Sequence, residues 1–171
     1  MKRKTRVVSL TALFSALTVI CLYFTSIWPT GVFGFVAFAS LLVAAAVCDA
    51  GVFSGVYVYI VSSALGLLLV PNKAAPILYI AFFGYYPVVK SLIERINGTF
   101  VQWVLKLLVL NAALTVIWFL LRALIFDLQG TVPGILPVYA GSNAVFILFD
   151  VGFSKLIGFY ISNISKYMRK N

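Results

Sequence analysis

The residues best suited to chemistry lie late in the chain. Asn111, Thr115, Trp118 and Arg122 are spaced by 4, 3 and 4 residues, and Tyr139, Asn143 and Asp150 by 4 and 7. At about 100 degrees per helical residue, each set forms one stripe of polar and aromatic groups on an otherwise apolar segment. Amides and hydroxyls orient a small solute by hydrogen bonding. A guanidinium binds carboxylates in a fork, and an indole stacks on flat rings. Arg122 with Trp118 one turn away therefore forms either a recognition corner for an anionic or aromatic solute or an interfacial Arg reaching lipid headgroups.

Asp150 is the costly residue. A charge at the centre of a bilayer is unfavourable by about 2.5 to 3.5 kcal/mol even on the lenient insertion scale, so it is expected to be paired or protonated. Lys106 on the preceding segment is the better candidate partner, in a structural or a functional role. Lys155, five positions along the same helix, points about 140 degrees away and is expected to snorkel.

Several chemistries have no residues to perform them. Histidine is absent, which removes the commonest general base and metal ligand. The chain has no GxSxG elbow, no phosphate-binding loop and no pair of intramembrane carboxylates, so no enzymatic activity is expected. Cys21 and Cys48 both fall in apolar stretches and indicate neither a disulfide framework nor a zinc site. No cofactor or metal is expected.

The elements that must carry these residues follow from composition. Of 171 residues, 63% are hydrophobic and only 10% charged, with a mean hydropathy of +1.10, against about 25% charged in a soluble globule. Apolar runs cover about 7–28, 33–48, 52–70, 75–89, 100–126 and 135–163. Each approaches the roughly 20 residues a membrane helix needs. The expectation is an all-α integral membrane protein, a six-transmembrane-helix bundle forming one domain over residues 1–171. The first run starts basic like a secretory signal, but it is too long and lacks a small-x-small cleavage site, so it is expected to be a retained anchor.

The formal charge of +9 is better explained by topology than by nucleic acid. Lys2, Arg3, Lys4, Arg6, Lys166, Arg169 and Lys170 lie at the two ends, the pattern that the positive-inside rule produces. Both termini, together with the loop of Lys90 and Arg95, are expected to be cytoplasmic. Gly84-Tyr85-Tyr86-Pro87 at the end of the fourth run is either a plain helix terminus or an elbow for a partner.

Small residues mark the first three runs: Ser9, Ala12 and Ala16; then Ala37, Ser40, Ala44 and Cys48; then Gly55, Ser62 and Gly66. Such seams let helices approach closely, either within the chain or against another membrane subunit. With small residues early and polar stripes late, the chain resembles the substrate-binding S components of energy-coupling factor (ECF) transporters. The one short motif is Ala12-Leu13-Phe14-Ser15-Ala16, similar to the seam through which that family's first helix meets its coupling subunit. The resemblance implies a bacterial plasma-membrane protein that captures a vitamin-like solute for uptake. The implied partners are a transmembrane coupling subunit, docked on Ala12 and Ala16, and two ATPases. The short outer loop near Pro29 to Phe33 departs from members that use a longer one as a lid. The implied solute site comprises Trp118, Arg122, Tyr139 and Asn143 over a floor of Asn111 and Asp150.

Two other classes remain. The chain also resembles small bacterial cell-shape proteins of the rod-shape D family, membrane scaffolds with no ligand pocket. A proton-coupled carrier using Asp150 would need no ATPase. For the topology, reporter fusions at both termini are expected to be active only on the cytoplasmic side; a reporter active outside at either end would overturn the six-span, both-ends-in arrangement.

Overall fold

The computed structural model describes the backbone over residues 2–124 and 135–165, and side chains over 4–28, 30–117 and 139–163. The turn expected at Asp127–Gly130 and the basic residues Lys166, Arg169 and Lys170 lie outside the described residues. The described chain is helical without strands. Its helices are α1 (Lys2–Ile27), α2 (Val32–Ala50), α3 (Val52–Leu69), α4 (Ala74–Leu78), α5 (Tyr86–Ile93), α6 (Thr99–Leu124) and α7 (Ile135–Tyr160). A 3-10 turn, Pro29–Gly31, joins α1 to α2. Wider π segments follow α4 (Tyr79–Phe83) and α7 (Ile161–Ser165).

Six stretches are long and apolar enough to cross a membrane: Lys4–Ile27, Val32–Ala50, Val52–Leu69, Ala74–Ile93, Thr99–Ile117 and Tyr139–Asn163. The multi-pass, all-helical architecture expected from composition is therefore present. The chain divides into two compact units, one of Met1–Leu92 with Lys155–Asn171, the other of Ile93–Ser154.

In the first unit α1, α2 and α3 pack against one another. Leu22, Val36, Ala39, Val43, Ala46, Val58, Val70 and Tyr79 are wholly buried between them and the fourth span. The hairpin between α2 and α3 consists of Gly51 alone, at φ +97. That left-handed conformation is accessible to glycine without a Cβ clash, so one residue can end one span and begin the next. The small residues divide by helix. Ser40 and Ala44 on α2 and Gly55, Ser62 and Gly66 on α3 are buried, whereas Ser9, Ala12 and Ala16 on α1 are exposed.

The fourth span differs from the expected run of 75–89. It extends from Ala74 to Ile93 and is broken in the middle. At the break Gly84 N donates to Tyr79 O at 2.7 Å, a five-residue closure. The carbonyl of Ile80 accepts from Tyr59 Oη at 3.2 Å. Pro87 does not end the span but sits in the first turn of α5, where its missing N–H costs nothing. The helix continues, so Lys90 is not a loop cation; it lies on α5 and is only 2% exposed. The burial of Lys90 has no signal in the sequence, because it depends on what packs over α5.

Gly84 is held under two rings: a Cβ there would fall 2.5 Å from Tyr59 Cδ2 and 2.8 Å from Tyr79 Cε1. At Gly34, by contrast, an added Cβ would meet nothing within 4 Å. Gly84→Ala is expected to destabilise the purified protein by about 1–3 kcal/mol through overpacking, read as a lower thermal midpoint in detergent, while Gly34→Ala leaves the midpoint nearly unchanged. Equal midpoints for the two variants would show that the break is not tightly packed.

Candidate functional site

The late polar stripes meet in the second unit. α6 and α7 face each other there through three successive rungs of side chains. At the first, Lys106 Nζ lies 2.9 Å from Asp150 Oδ2 and 2.9 Å from Glu94 Oε1. The Lys106 and Asp150 side chains are 6% and 2% exposed, against 42% for Glu94. The ammonium also lies 5.4 Å from the centre of the Trp103 ring. Asp150 is thus paired with Lys106 as expected. Glu94, from the segment between α5 and α6, is an additional partner that sequence position alone did not suggest.

The second rung is a reciprocal pair of amides. Asn111 Nδ2 donates to Asn143 Oδ1 at 3.1 Å, and Asn143 Nδ2 donates to Asn111 Oδ1 at 3.2 Å. Each Nδ2 also donates one turn back along its own helix, from Asn111 to Leu107 O at 2.7 Å and from Asn143 to Tyr139 O at 2.8 Å. The third rung joins Thr115 Oγ1 and Tyr139 Oη at 2.8 Å. Thr115 spends its single hydroxyl proton on Asn111 O at 2.7 Å, so the phenol of Tyr139 is the donor across the helices.

Asn111, Tyr139, Asn143 and Asp150 therefore lie on one interhelical ladder. They hydrogen-bond across it instead of lining an open space. Thr115, Lys106 and Glu94 complete the ladder. The Trp118 and Arg122 side chains lie outside the described residues; α6 carries both positions, one and two turns beyond Thr115. Buried polar groups in a membrane must be satisfied within the protein, and a ladder of this kind does so without water.

The first unit holds a separate groove of about 810 Å³ between α1 and α2, walled by residues including Leu17, Ile20, Phe24, Phe35, Phe38 and Leu42. With walls almost wholly apolar, it suits lipid chains and has no group to orient a polar solute. Polar contacts in this unit include Ser62 with Tyr79 Oη at 2.9 Å and Tyr160 Oη donating to Asp49 Oδ2. Ser62 gives its proton to Val58 O at 2.6 Å, so Tyr79 donates to it. Lys73, just before α4, donates to Leu67 O at 2.6 Å and Val70 O at 2.8 Å, closing the end of α3. Among the described residues no cluster of three or more His, Cys, Asp or Glu is placed to hold a metal.

Removing one partner of a buried ion pair typically costs about 3–5 kcal/mol, because the other charge is left uncompensated. Lys106→Met is expected to lower the thermal midpoint sharply. Asp150→Asn leaves Lys106 with Glu94 and is expected to cost less, and combining Lys106→Met with Asp150→Asn should recover part of the loss. Additive losses in the double variant would refute direct coupling.

Comparison with protein-family models, with curated proteins and with solved structures gives no match to this chain.

Proposed function

We propose that this protein is the substrate-capture membrane subunit of an ECF-type importer. In this reading both termini face the cytoplasm of a bacterial cell, and the ladder climbs from the charged rung, deep in the membrane, towards the outer surface. A small solute enters between α6 and α7 from outside. Asn111, Tyr139 and Asn143 bind it, with Trp118 and Arg122 above them on α6 and Asp150, locked to Lys106, as the floor. Separate subunits power uptake: a transmembrane coupling subunit, which docks on α1, and two ATPases. The chain itself has no phosphate-binding loop.

The observation that carries this reading is the amide rung. Two half-buried amides, each with its orientation held by a bond to its own helix, are costly to keep in a bilayer and well suited to reading a solute. The docking role of Ala12 and Ala16 draws support from their exposure on α1, since Ser40 and Ala44 on α2 and Gly55, Ser62 and Gly66 on α3 are buried.

One observation favours a second reading. The polar groups on the ladder bond to one another, as glue between membrane helices does, and the exposed small face of α1 suits a scaffold equally well. Native mass spectrometry in mild detergent separates the two. A stoichiometric small molecule released on denaturation is expected, with Arg122→Ala and Asn143→Ala each weakening its binding about tenfold or more. An empty protein that copurifies with other membrane subunits and gains no thermal stability from a vitamin and amino-acid panel would establish the scaffold.

A further inference from the structure

A primary amide carries two N–H donors and one carbonyl. Asn111 and Asn143 each give one donor to their own helix, to Leu107 O and Tyr139 O. What remains on each is one N–H and one C=O side by side, and the two edges face each other at 3.1 and 3.2 Å. Because the backbone bonds fix both planes, neither amide can present a different pattern without losing a hydrogen bond. The pair is therefore a preset donor–acceptor edge, duplicated on two helices.

A ring that contains a cis-amide presents the same edge. Cyclic ureides, pyrimidinediones among them, carry two such edges on one ring, so one molecule can pair with both Asn side chains. Its insertion breaks two amide–amide bonds and forms four amide–solute bonds, which leaves neither half-buried amide unpaired. A carboxylate is a poorer match, since it offers acceptors only and leaves each Asn carbonyl without a donor. No fixed charge sits on this rung, and the nearest described ion pair is already formed between Lys106 and its two carboxylates. The helices concerned are also little embedded: over an 18-residue stretch of each of the spans Thr99–Ile117 and Tyr139–Asn163, 17% of residues are buried, against 28% to 50% for such stretches of the other four.

We infer that Asn111 and Asn143 form the recognition edge for a neutral solute whose ring carries two cis-amide edges, a cyclic ureide such as an imidazolidinone or a pyrimidinedione. The inference rests on the capture reading above and names the chemical class that this site takes.

The test uses the full-length protein in mild detergent, with uracil and imidazolidin-2-one as probes, followed by calorimetry and thermal unfolding. Each probe is paired with its N,N′-dimethyl counterpart, which keeps the ring and carbonyls but has no N–H. At least one parent probe is expected to bind about tenfold or more tightly than its dimethyl counterpart, since a site built to pair with N–H groups rejects an analogue lacking them. Asn111→Leu and Asn143→Leu are each expected to abolish that binding. Should a Leu variant fail to fold, the parent and dimethyl comparison on the unaltered protein decides alone. Equal binding of parent and dimethyl forms, or failure of both parents while native mass spectrometry releases a solute of another class, overturns the cis-amide edge and leaves the capture reading standing. Failure of both parents with no solute released overturns both.

Discussion

A bilayer core holds no water to satisfy a polar group, so every donor and acceptor on a spanning helix must find its partner inside the protein. The described side chains follow this constraint closely. Thr11, Ser15, Thr18, Ser54, Ser62, Thr115 and Ser154 each return a hydroxyl proton to the carbonyl four residues earlier. Where the fourth span breaks, Tyr59 reaches across to the Ile80 carbonyl. Two hydroxyls depart from the pattern: Ser40 Oγ and Ser63 Oγ are buried without a partner among the described residues, and nothing in the structure explains them.

The same constraint divides the work between the two units. In the first, small residues on α2 and α3 let backbones come close, and the core is mostly aliphatic, with Phe14 on α1 and Tyr79, Phe82 and Tyr86 on the broken span. Close packing substitutes for a hydrophobic driving force, because lipid tails are as apolar as leucine. In the second unit polar side chains perform that task. The ladder from Lys106 to Thr115 and from Asp150 to Tyr139 gives α6 and α7 a register that apolar side chains alone would specify only weakly. Such rungs hold the two helices together by themselves.

This arrangement bears on how the early and late halves relate to function. The small seams of α2 and α3 serve packing within the chain, while that of α1 faces outward. A stripe of small residues has the same spacing in either role, so its use depends on which neighbour occupies the groove. Likewise a polar stripe reads the same whether it lines a cavity or bonds to a second stripe. The helix pair that carries both stripes supplied the answer for Asn111, Asn143 and Tyr139.

Much was legible from residue type and periodicity. The spans, the placing of Asn111 with Thr115 on one face, and the need of Asp150 for Lys106 all follow from apolar run length, helical geometry and the cost of a bare charge in hydrocarbon. These are local properties or single large energies, and they survive without knowledge of neighbours. The continuation of the fourth span past Pro87, the burial of Lys90, the addition of Glu94 to the Lys106 pair and the closure of the amides on each other were decided only by tertiary structure. Each depends on which surface of another helix arrives opposite, a sum of many small contacts between residues far apart in sequence that no local pattern records.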